Sequence, residues 1–472
     1  MFKKSTKISH IYLIGIKGVG MTMLAQFLTE IGNNLVSGSD INDVFLTDKV
    51  LKTAKIKVFS PFDPKNIPLN PDLIIYSSAY NENNNLELAY IKNNPALFKK
   101  TRLLSYASAL GEVFNQYQGV AVCGSHGKTT TSAWLGYVLL KAGKKPNVLV
   151  GSRVPQFKGS SLKGSSKYFV AETDEYQNKL QYFKPQGVLL NNIDYDHPDF
   201  FPTKEAYLQV FIDFIKKITA SGFLVLNNQD PESLKIKKYC RGRILTYAID
   251  SEADYQAREL VQKNNRLKFK LIFKRKIIGS FTIKMLGRHN VSNALAVIAA
   301  ARELKVPFTD IKKHLATFKG TERRAQILGK YRGALVIDDY AHHPTEVKAT
   351  LAGLRLNYNK QRIITVFHPH TFTRTKALFA DFIKSFRETD ELIVLDIYGS
   401  AREIAGGVSS RELVEAIISN NQKENFKQNV KYLAAMPEAV KYLKSHLKKQ
   451  DILLLMGAGD VFRIGQDLLK NK

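Results

Sequence analysis

The sequence predicts an α/β protein of three domains, and three observations lead there. Short apolar runs alternate with helical periodicity along most of the chain, the pattern of β-α-β units built on parallel sheets. Glycine turns stand directly after two of these runs, at the edge where α/β sheets place ligands. At 472 residues the chain is also too long for one ordinary core.

In the first series, Ile11-Tyr12-Leu13-Ile14 reads as a buried strand, Gly15 to Gly20 as a turn and Met21 to Ile31 as a helix. Asn34 to Ser37 starts a second strand, and Asp72 to Tyr76 forms another that ends in Ser77-Ser78. Lysines ahead of apolar residues give the N-terminus the opening of a signal peptide. The run Ile11 to Ile16 is too short for one, however, and passes straight into glycines, so a first strand is expected.

A second series begins near Gly119. Val120-Ala121-Val122 feeds a glycine loop, Thr130 to Lys141 continues as a helix ended by Gly143, and Tyr168 to Ala171 and Gly187 to Leu190 are further buried strands. From Phe223 to Leu286 the pattern changes to alternation, as in Arg266 to Ile272, which predicts antiparallel strands appended to the central domain. An alanine-rich helix follows at Asn290 to Leu304. The third series starts near Gly320, with strands at Ala334 to Ile337, Ile363 to Phe367, Glu391 to Leu395 and Ile452 to Met456. Domains of 1–105, 106–318 and 319–472 result.

Composition is that of a globular protein, 44% hydrophobic and 24% charged, and no apolar run approaches the ~18–20 residues of a membrane span. Cys123 and Cys240 are too few for a disulfide framework and suit a reducing cytoplasm. Seventy Lys+Arg against 42 Asp+Glu give +28, which fits either a nucleic-acid binder or a lysine-rich chain with sites for anionic small molecules. The basic residues are spread out, with only brief groupings at Lys99 to Arg102 and Lys235 to Arg243, so neither a nucleic-acid partner nor membrane insertion is expected.

The sharpest motif is Gly124-Ser125-His126-Gly127-Lys128-Thr129-Thr130. A buried strand, a glycine turn and a helix start aim backbone N–H groups and the helix dipole at one place, which suits a triphosphate. Lys128 can neutralise β- and γ-phosphate charge, and the Thr129 hydroxyl can ligate Mg²⁺. The longer G-x-x-x-x-G-K-[ST] pattern would place glycine at Val122, so only the short form is present; a tight turn with an incidental lysine is the plain alternative.

Gly15, Gly18 and Gly20 follow the first strand, and Asp40 ends the next, an arrangement that fits either a diphosphate site with a ribose-reading carboxylate or merely a tight turn. Glu172-Thr173-Asp174-Glu175 and Asn191 to His197 lie at strand ends of the central domain, where a carboxylate and a neutral imidazole can hold Mg²⁺. In the last domain Arg323-Arg324 precedes Asp338-Asp339-Tyr340-Ala341-His342-His343-Pro344, and a later strand ends in Phe367 to Thr375. One of His342 and His343 is expected only to cap the helix that starts at Pro344.

With these residues in view, the chain resembles the Mur ligases of bacterial cell-wall synthesis along essentially its whole length. The matching stretches are GIKGVGMTMLA, SGSD, GSHGKTTT, AETDE, NNIDYDHPD, LGRHNVSNALA, FKGTERR, DDYAHHPTE, FHPHTFTRT and GAGD. The resemblance implies an N-terminal Rossmann-like domain for a UDP sugar, a central P-loop ATPase-type domain, and a C-terminal Rossmann-like domain that closes over the substrates. It is strongest to the branch that joins L-alanine to UDP-N-acetylmuramate with ATP and Mg²⁺ by way of an acyl phosphate. A recycling branch that adds a tripeptide is the nearer alternative, and a basic ATPase acting on nucleic acid the remote one.

On this resemblance Gly15, Gly18, Gly20, Asp40, Ser77 and Ser78 face the uridine diphosphate, and Lys128 and Thr129 hold phosphates and Mg²⁺, with Glu172 and His197 as further metal ligands. His289, Asn290 and Asn293 lie by the nucleotide, and Arg324 and Asp339 meet the triphosphate and ribose. Tyr340, His343 and Arg374 surround the incoming amino acid, with His343 accepting the amine proton. Some of these ligases carry a second arginine at the position of Thr371, to help bind the alanine carboxylate; others have threonine, as here. Others again use a carbamylated lysine after the D-H motif, and none is expected within Phe200 to Lys217.

Overall fold

The fold is read from a computed structural model, which describes residues 9–399 and 406–470. The chain gathers into two compact units. The first holds residues up to Ile193, Leu208–Tyr255 and Ala294–Phe318; the second holds Asp194–Tyr207, Gln256–Asn293 and the chain from Lys319 onward. Among the described residues no helix is long and apolar enough to cross a membrane. Cys123 and Cys240 are free thiols.

The first unit contains two sheets. Strands β1 (Ser9–Ile14), β2 (Asn34–Ser39), β3 (Lys57–Phe59), β4 (Leu73–Tyr76) and β5 (Arg102–Ser105) form a parallel sheet in the order β3-β2-β1-β4-β5. The chain runs from β1 outward to β3 and then crosses to β4, so the crevice between the ends of β1 and β4 is the switch point of the sheet. The Gly15 turn and Ser77 meet there, the Ser77 N–H donating to the Ile14 carbonyl at 2.9 Å. Tyr12, Ile14 and Ile74 pack with Leu88 and Ile91 on one face of this sheet.

The second sheet of this unit comprises β6 (Gln118–Cys123), β7 (Asn147–Val154), β8 (Gly159–Leu162), β9 (Tyr168–Glu172), β10 (Gly187–Leu190), β11 (Phe223–Asn227) and β12 (Arg243–Ile249). Their order is β12-β11-β10-β6-β9-β7-β8, parallel except for the β7–β8 hairpin. Here the expectation for Phe223 to Leu286 is corrected. Strands β11 and β12 extend the parallel sheet, and alternation sets in only with β13 (Tyr255–Lys263), β14 (Arg266–Phe273) and β15 (Lys276–Ile283), of which β14 and β15 pair antiparallel. The sequence distinguishes the two: β11 is a solid apolar run buried along most of its length, whereas β14 alternates buried and exposed residues. The Lys128–Lys141 helix packs its face around Trp134, which is fully buried and stacked on Phe318 at 5.3 Å.

The second unit carries the antiparallel strands β14 and β15 and a six-stranded sheet. That sheet comprises β16 (Gln326–Tyr331), β17 (Ala334–Asp339), β18 (Ile363–Phe367), β19 (Glu391–Val394), β20 (Asn429–Tyr432) and β21 (Ile452–Met456), in the order β16-β17-β21-β18-β19-β20. Only the β16–β17 edge pairs antiparallel. Apolar clusters cover both faces, one around Phe367, Phe382 and Leu413 and the other around Ile364, Leu443 and Ile464.

Close approach of backbone and side chains fixes some glycines absolutely. A Cβ on Gly38 would sit 2.3 Å from the Leu13 carbonyl oxygen, which cannot yield within the β1–β2 pairing, and 2.9 Å from the Ile16 side chain. Gly38→Ala is therefore expected to destabilise the first unit by about 1–3 kcal/mol. Urea unfolding would show this as a lower midpoint, and an unchanged midpoint would mean that the two strands can separate.

Candidate active site

The phosphate loop leaves β6 at Cys123 and turns on two left-handed glycines, Gly124 (φ 116°) and Gly127 (φ 78°). At Gly124 no side chain fits, because a Cβ would lie 2.6 Å from the Asn192 carbonyl. Two asparagines after β10 clamp the loop. Asn192 accepts the Ser125 N–H on its carbonyl (3.1 Å) and the His126 N–H on Oδ1 (2.9 Å). Asn191 Nδ2 donates to the His126 carbonyl and to Thr131 Oγ1, each at 3.1 Å. Gly127 then caps the Lys128–Lys141 helix, whose first N–H groups have no intrahelical acceptor and carry the positive end of the dipole. Thr130 is buried in its first turn.

Lys128 lies across this loop. Its ammonium donates to the Gly124 carbonyl (2.6 Å) and the Ser125 carbonyl (3.2 Å), and pairs with Glu175 Oε2 at 3.0 Å. Burial works against the charge, but Glu175, with Asp174 and Glu172 behind it, outweighs burial and holds the ammonium above its ordinary value. Beside it Thr129 Oγ1 donates to Glu172 Oε1 at 2.8 Å, while Glu172 Oε2 accepts the Gly151 N–H at 2.6 Å. Two of the three expected metal ligands, Thr129 and Glu172, are thus side by side.

These residues share a cleft of about 310 Å³ with the N-terminal glycine turn. Gly18, Gly20, Ser77 and Ser78 line it together with Lys128 and Glu172, and Tyr106, Asp174 and Lys179 also face it. The turn is tight because its glycines are covered: a Cβ on Gly15 would lie 2.7 Å from the Tyr80 ring, and one on Gly20 would lie 2.7 Å from Tyr106. Asp40 holds the turn. Its Oδ2 accepts the Lys17 N–H at 2.6 Å, and its Oδ1 accepts the Ile41 N–H at 2.9 Å and the Tyr80 hydroxyl at 3.4 Å. Burial nevertheless lifts the Asp40 carboxyl above the usual range. The expected ribose-reading carboxylate is thus first of all a staple of the glycine turn.

The remaining expected residues belong to the second unit. His197 sits at φ 59° on the Asp194–Tyr207 segment, its N–H donating to Asp196 Oδ1 at 2.7 Å. Arg374, 5% exposed, grips Asp196 through Nε (3.0 Å) and Nη2 (2.9 Å). Burial alone would favour a neutral Asp196, but Arg374 holds the carboxyl well below its usual range, with His197, His342 and His343 adding to the effect.

His343 proves to be the helix cap: its Nδ1 accepts the Thr345 N–H at 3.3 Å at the start of the Pro344–Asn357 helix. The same ring lies 3.6 Å from Asp194 Oδ2. His342 Nδ1 meets the Tyr340 carbonyl at 3.0 Å, and burial, aided by Arg374, pushes its pKa down to about 4. His289 is likewise pushed down to about 4, chiefly by burial and then by Arg324. It lies 3.0 Å from Asn290 Nδ2, and Asn293 donates to Asn290 Oδ1 at 3.3 Å.

Arg324 lies over the Tyr340 ring and 3.8 Å from Glu346. Asp339, buried at the end of β17, accepts the Ala325 N–H (2.6 Å) and the Ala341 N–H (2.8 Å), and burial raises its carboxyl. Sequence reasoning missed Glu175, Asp196, Glu346 and His370, each of which holds or flanks an expected residue. The signal was available for Glu175 and Asp196, since both sit in the acidic clusters at strand ends.

The chain matches three family profiles in succession: "Mur ligase family, catalytic domain" over residues 10–118, "Mur ligase middle domain" over 122–301, and "Mur ligase, glutamate ligase domain" over 323–459. It is 36% identical over 462 residues to the UDP-N-acetylmuramate–L-alanine ligase of Desulfitobacterium hafniense, covering 98% of this chain and 99% of that one. The enzyme of the same name from Desulfosudis oleivorans is 37% identical over 470 residues, covering 99% of both. Among solved structures, the UDP-N-acetylmuramate–alanine ligase of Thermotoga maritima superposes with a TM-score of 0.81 at 23% identity, covering 98% of both chains. The murein peptide ligase of Psychrobacter arcticus superposes with a TM-score of 0.72 at 24% identity, with the same coverage.

The depressed pKa of His342, whose side chain is 16% exposed, sets a pH dependence. Between pH 6.5 and about 4 the unfolded chain takes up a proton at this position that the folded chain does not, so this contribution to stability falls as pH drops through that window. His342→Gln is expected to flatten the fall, seen as a smaller gap between urea midpoints at roughly pH 7 and pH 5. An unchanged gap would mean that the ring is protonated in the folded state.

Proposed function

The chain belongs to the Mur ligase family, and from that premise we propose that it joins L-alanine to the lactyl carboxylate of UDP-N-acetylmuramate, using ATP, in peptidoglycan precursor synthesis. The observation that carries this reading is the single cleft shared by Gly18, Gly20, Ser77 and Ser78 with Lys128 and Glu172: a diphosphate-type turn opens onto a triphosphate-type loop. A ligase that phosphorylates a UDP-linked carboxylate must bring that carboxylate to the γ-phosphate of ATP, and adjoining diphosphate and triphosphate sites suit this. We assign residues 1–105 to the UDP sugar, 106–318 to ATP and 319–472 to the ligase domain that receives the amino acid. ATP and the UDP sugar place the reaction in the cytoplasm, and the positive charge then answers anionic small molecules rather than nucleic acid.

Thr129 Oγ1 and the Glu172 carboxylate, 2.8 Å apart, are hard oxygen donors that suit Mg²⁺; His197, a residue of the second unit, would be the further ligand on the family resemblance alone. When bound, Mg²⁺ would draw charge from the phosphate oxygens. Lys128, kept charged by Glu175, and the N–H groups of the Lys128–Lys141 helix would hold the β- and γ-phosphates against the attacking carboxylate. An oxygen of that carboxylate forms a bond to the γ-phosphorus as the bond to ADP breaks, giving the acyl phosphate. The amine of L-alanine then attacks the acyl carbon, the C–N bond forms and phosphate leaves. Arg324, Asp339, His289, Asn290 and Asn293 would hold the nucleotide, and Tyr340 and Arg374 the acceptor. Because His343 Nδ1 accepts the Thr345 N–H, the neutral ring carries its own proton on Nε2, and His343 would take the amine proton at Nδ1 by releasing that cap contact.

Phosphate release with each component omitted in turn tests the reaction. Release is expected to require ATP, UDP-N-acetylmuramate and L-alanine together, with the alanyl product seen by mass spectrometry. Strong release without UDP-N-acetylmuramate would sink the proposal, and a tripeptide preferred over L-alanine would identify the recycling activity instead. Lys128→Ala is expected to lower turnover about a thousandfold while leaving the circular dichroism spectrum unchanged. A near-normal rate would remove the loop from the site.

A further inference from the structure

Asp196 has no part in the chemistry just described, yet it controls a residue that does. Its carboxylate is buried, and it takes one edge of the Arg374 guanidinium, Nε at 3.0 Å and Nη2 at 2.9 Å, on the same oxygen that accepts the His197 N–H at 2.7 Å. The opposite nitrogen, Nη1, lies 3.3 Å from His370 Nδ1 and 3.4 Å from the His370 carbonyl. Arg374 sits in a helix of six residues, Phe372–Ala377.

The start of that helix is itself strained. Thr371, a β-branched residue, is held at φ 69° and ψ 135°, with its N–H on the Tyr398 carbonyl at 3.0 Å and its own carbonyl accepting the Thr375 hydroxyl at 2.8 Å. Strain maintained in this way marks a position whose geometry matters. A guanidinium binds a carboxylate along an edge, and Asp196 occupies the Nε/Nη2 edge, which leaves the end formed by Nη1 and Nη2 beside His370. Thr371 itself provides no second cation.

We propose that Asp196 is a positioning residue: by holding the Nε/Nη2 edge of Arg374, it turns the end of the guanidinium beside His370 toward the carboxylate of the acceptor amino acid. This inference rests on the ligase reading above. Asp196 never touches the acceptor; it acts through Arg374.

Steady-state kinetics of the full chain, with each substrate varied in turn, test it. Asp196→Asn keeps the shape and removes the charge. It is expected to raise KM for L-alanine about tenfold or more. KM for ATP and for UDP-N-acetylmuramate, and the Mg²⁺ concentration at half-maximal rate, are expected to stay within about twofold. Arg374→Lys should raise the same KM, and adding Asp196→Asn to it should change little further, because both act on one contact. An unchanged KM for L-alanine in Asp196→Asn would overturn the proposal. So would a raised Mg²⁺ requirement, which would assign Asp196 to the His197 loop instead, or independent, additive effects in the double variant. Should Asp196→Asn fail to fold, Arg374→Lys with an unaltered KM for L-alanine would overturn it equally. Absence of alanyl product from the unmodified chain would refute the ligase reading itself, an outcome separate from all of these.

Discussion

A parallel sheet covered on both faces can offer polar chemistry only at its strand ends, and the rest of this molecule follows from that constraint. Strands such as β6 and β21 are buried along nearly their whole length, so they cannot carry a charged side chain in their interior. Glycine turns, carboxylates, histidines and arginines are therefore pushed to the last residue of a strand or beyond it. Glu172 closes β9, Asp339 closes β17, and the phosphate loop opens where β6 stops.

Gathering charge in these places raises a second problem, because a strand end is also partly buried. Two cations illustrate the same solution. Lys128 has Glu175 against it, and Arg374 has Asp196, and in each case the carboxylate partner outweighs the desolvation that would otherwise disfavour the charge. Buried ion pairs of this kind contribute little net stability, since desolvating both partners offsets most of their attraction. Their value here is positional: each holds a long flexible side chain in one orientation before any ligand arrives. Loop backbone is held by another device. The Asn191-Asn192 pair and Asp40 fix loop backbone by accepting or donating several hydrogen bonds at once.

Legibility in the sequence follows the same division. Interior strands were readable as solid apolar runs: Gly187 to Leu190, Ile363 to Phe367 and Ile452 to Met456 coincide with β10, β18 and β21. Strands β3, β5, β8, β16 and β20 were not, and each lies at the edge of its sheet, where one side lacks a neighbour and the apolar signal is diluted. The boundary between parallel and antiparallel strands was placed too early for a related reason, since one broad window merged the solid run of β11 with the alternation of β14. Motif residues were legible because their chemistry is local, as with Lys128 and Thr129. Their pairing with supporting residues was not, because Asp196 reaches Arg374 across 178 residues of chain and no local pattern encodes that contact.

The burial of Trp134 against Phe318 has a practical consequence. It is the only tryptophan in the chain, and it stands in the second turn of the Lys128–Lys141 helix. Intrinsic fluorescence of this protein, excited at the indole band, therefore comes from one site rather than from an average over the molecule. The signal follows the helix that follows the phosphate loop, so the chain carries its own optical reporter for nucleotide-dependent changes in that helix, without a label or an added mutation.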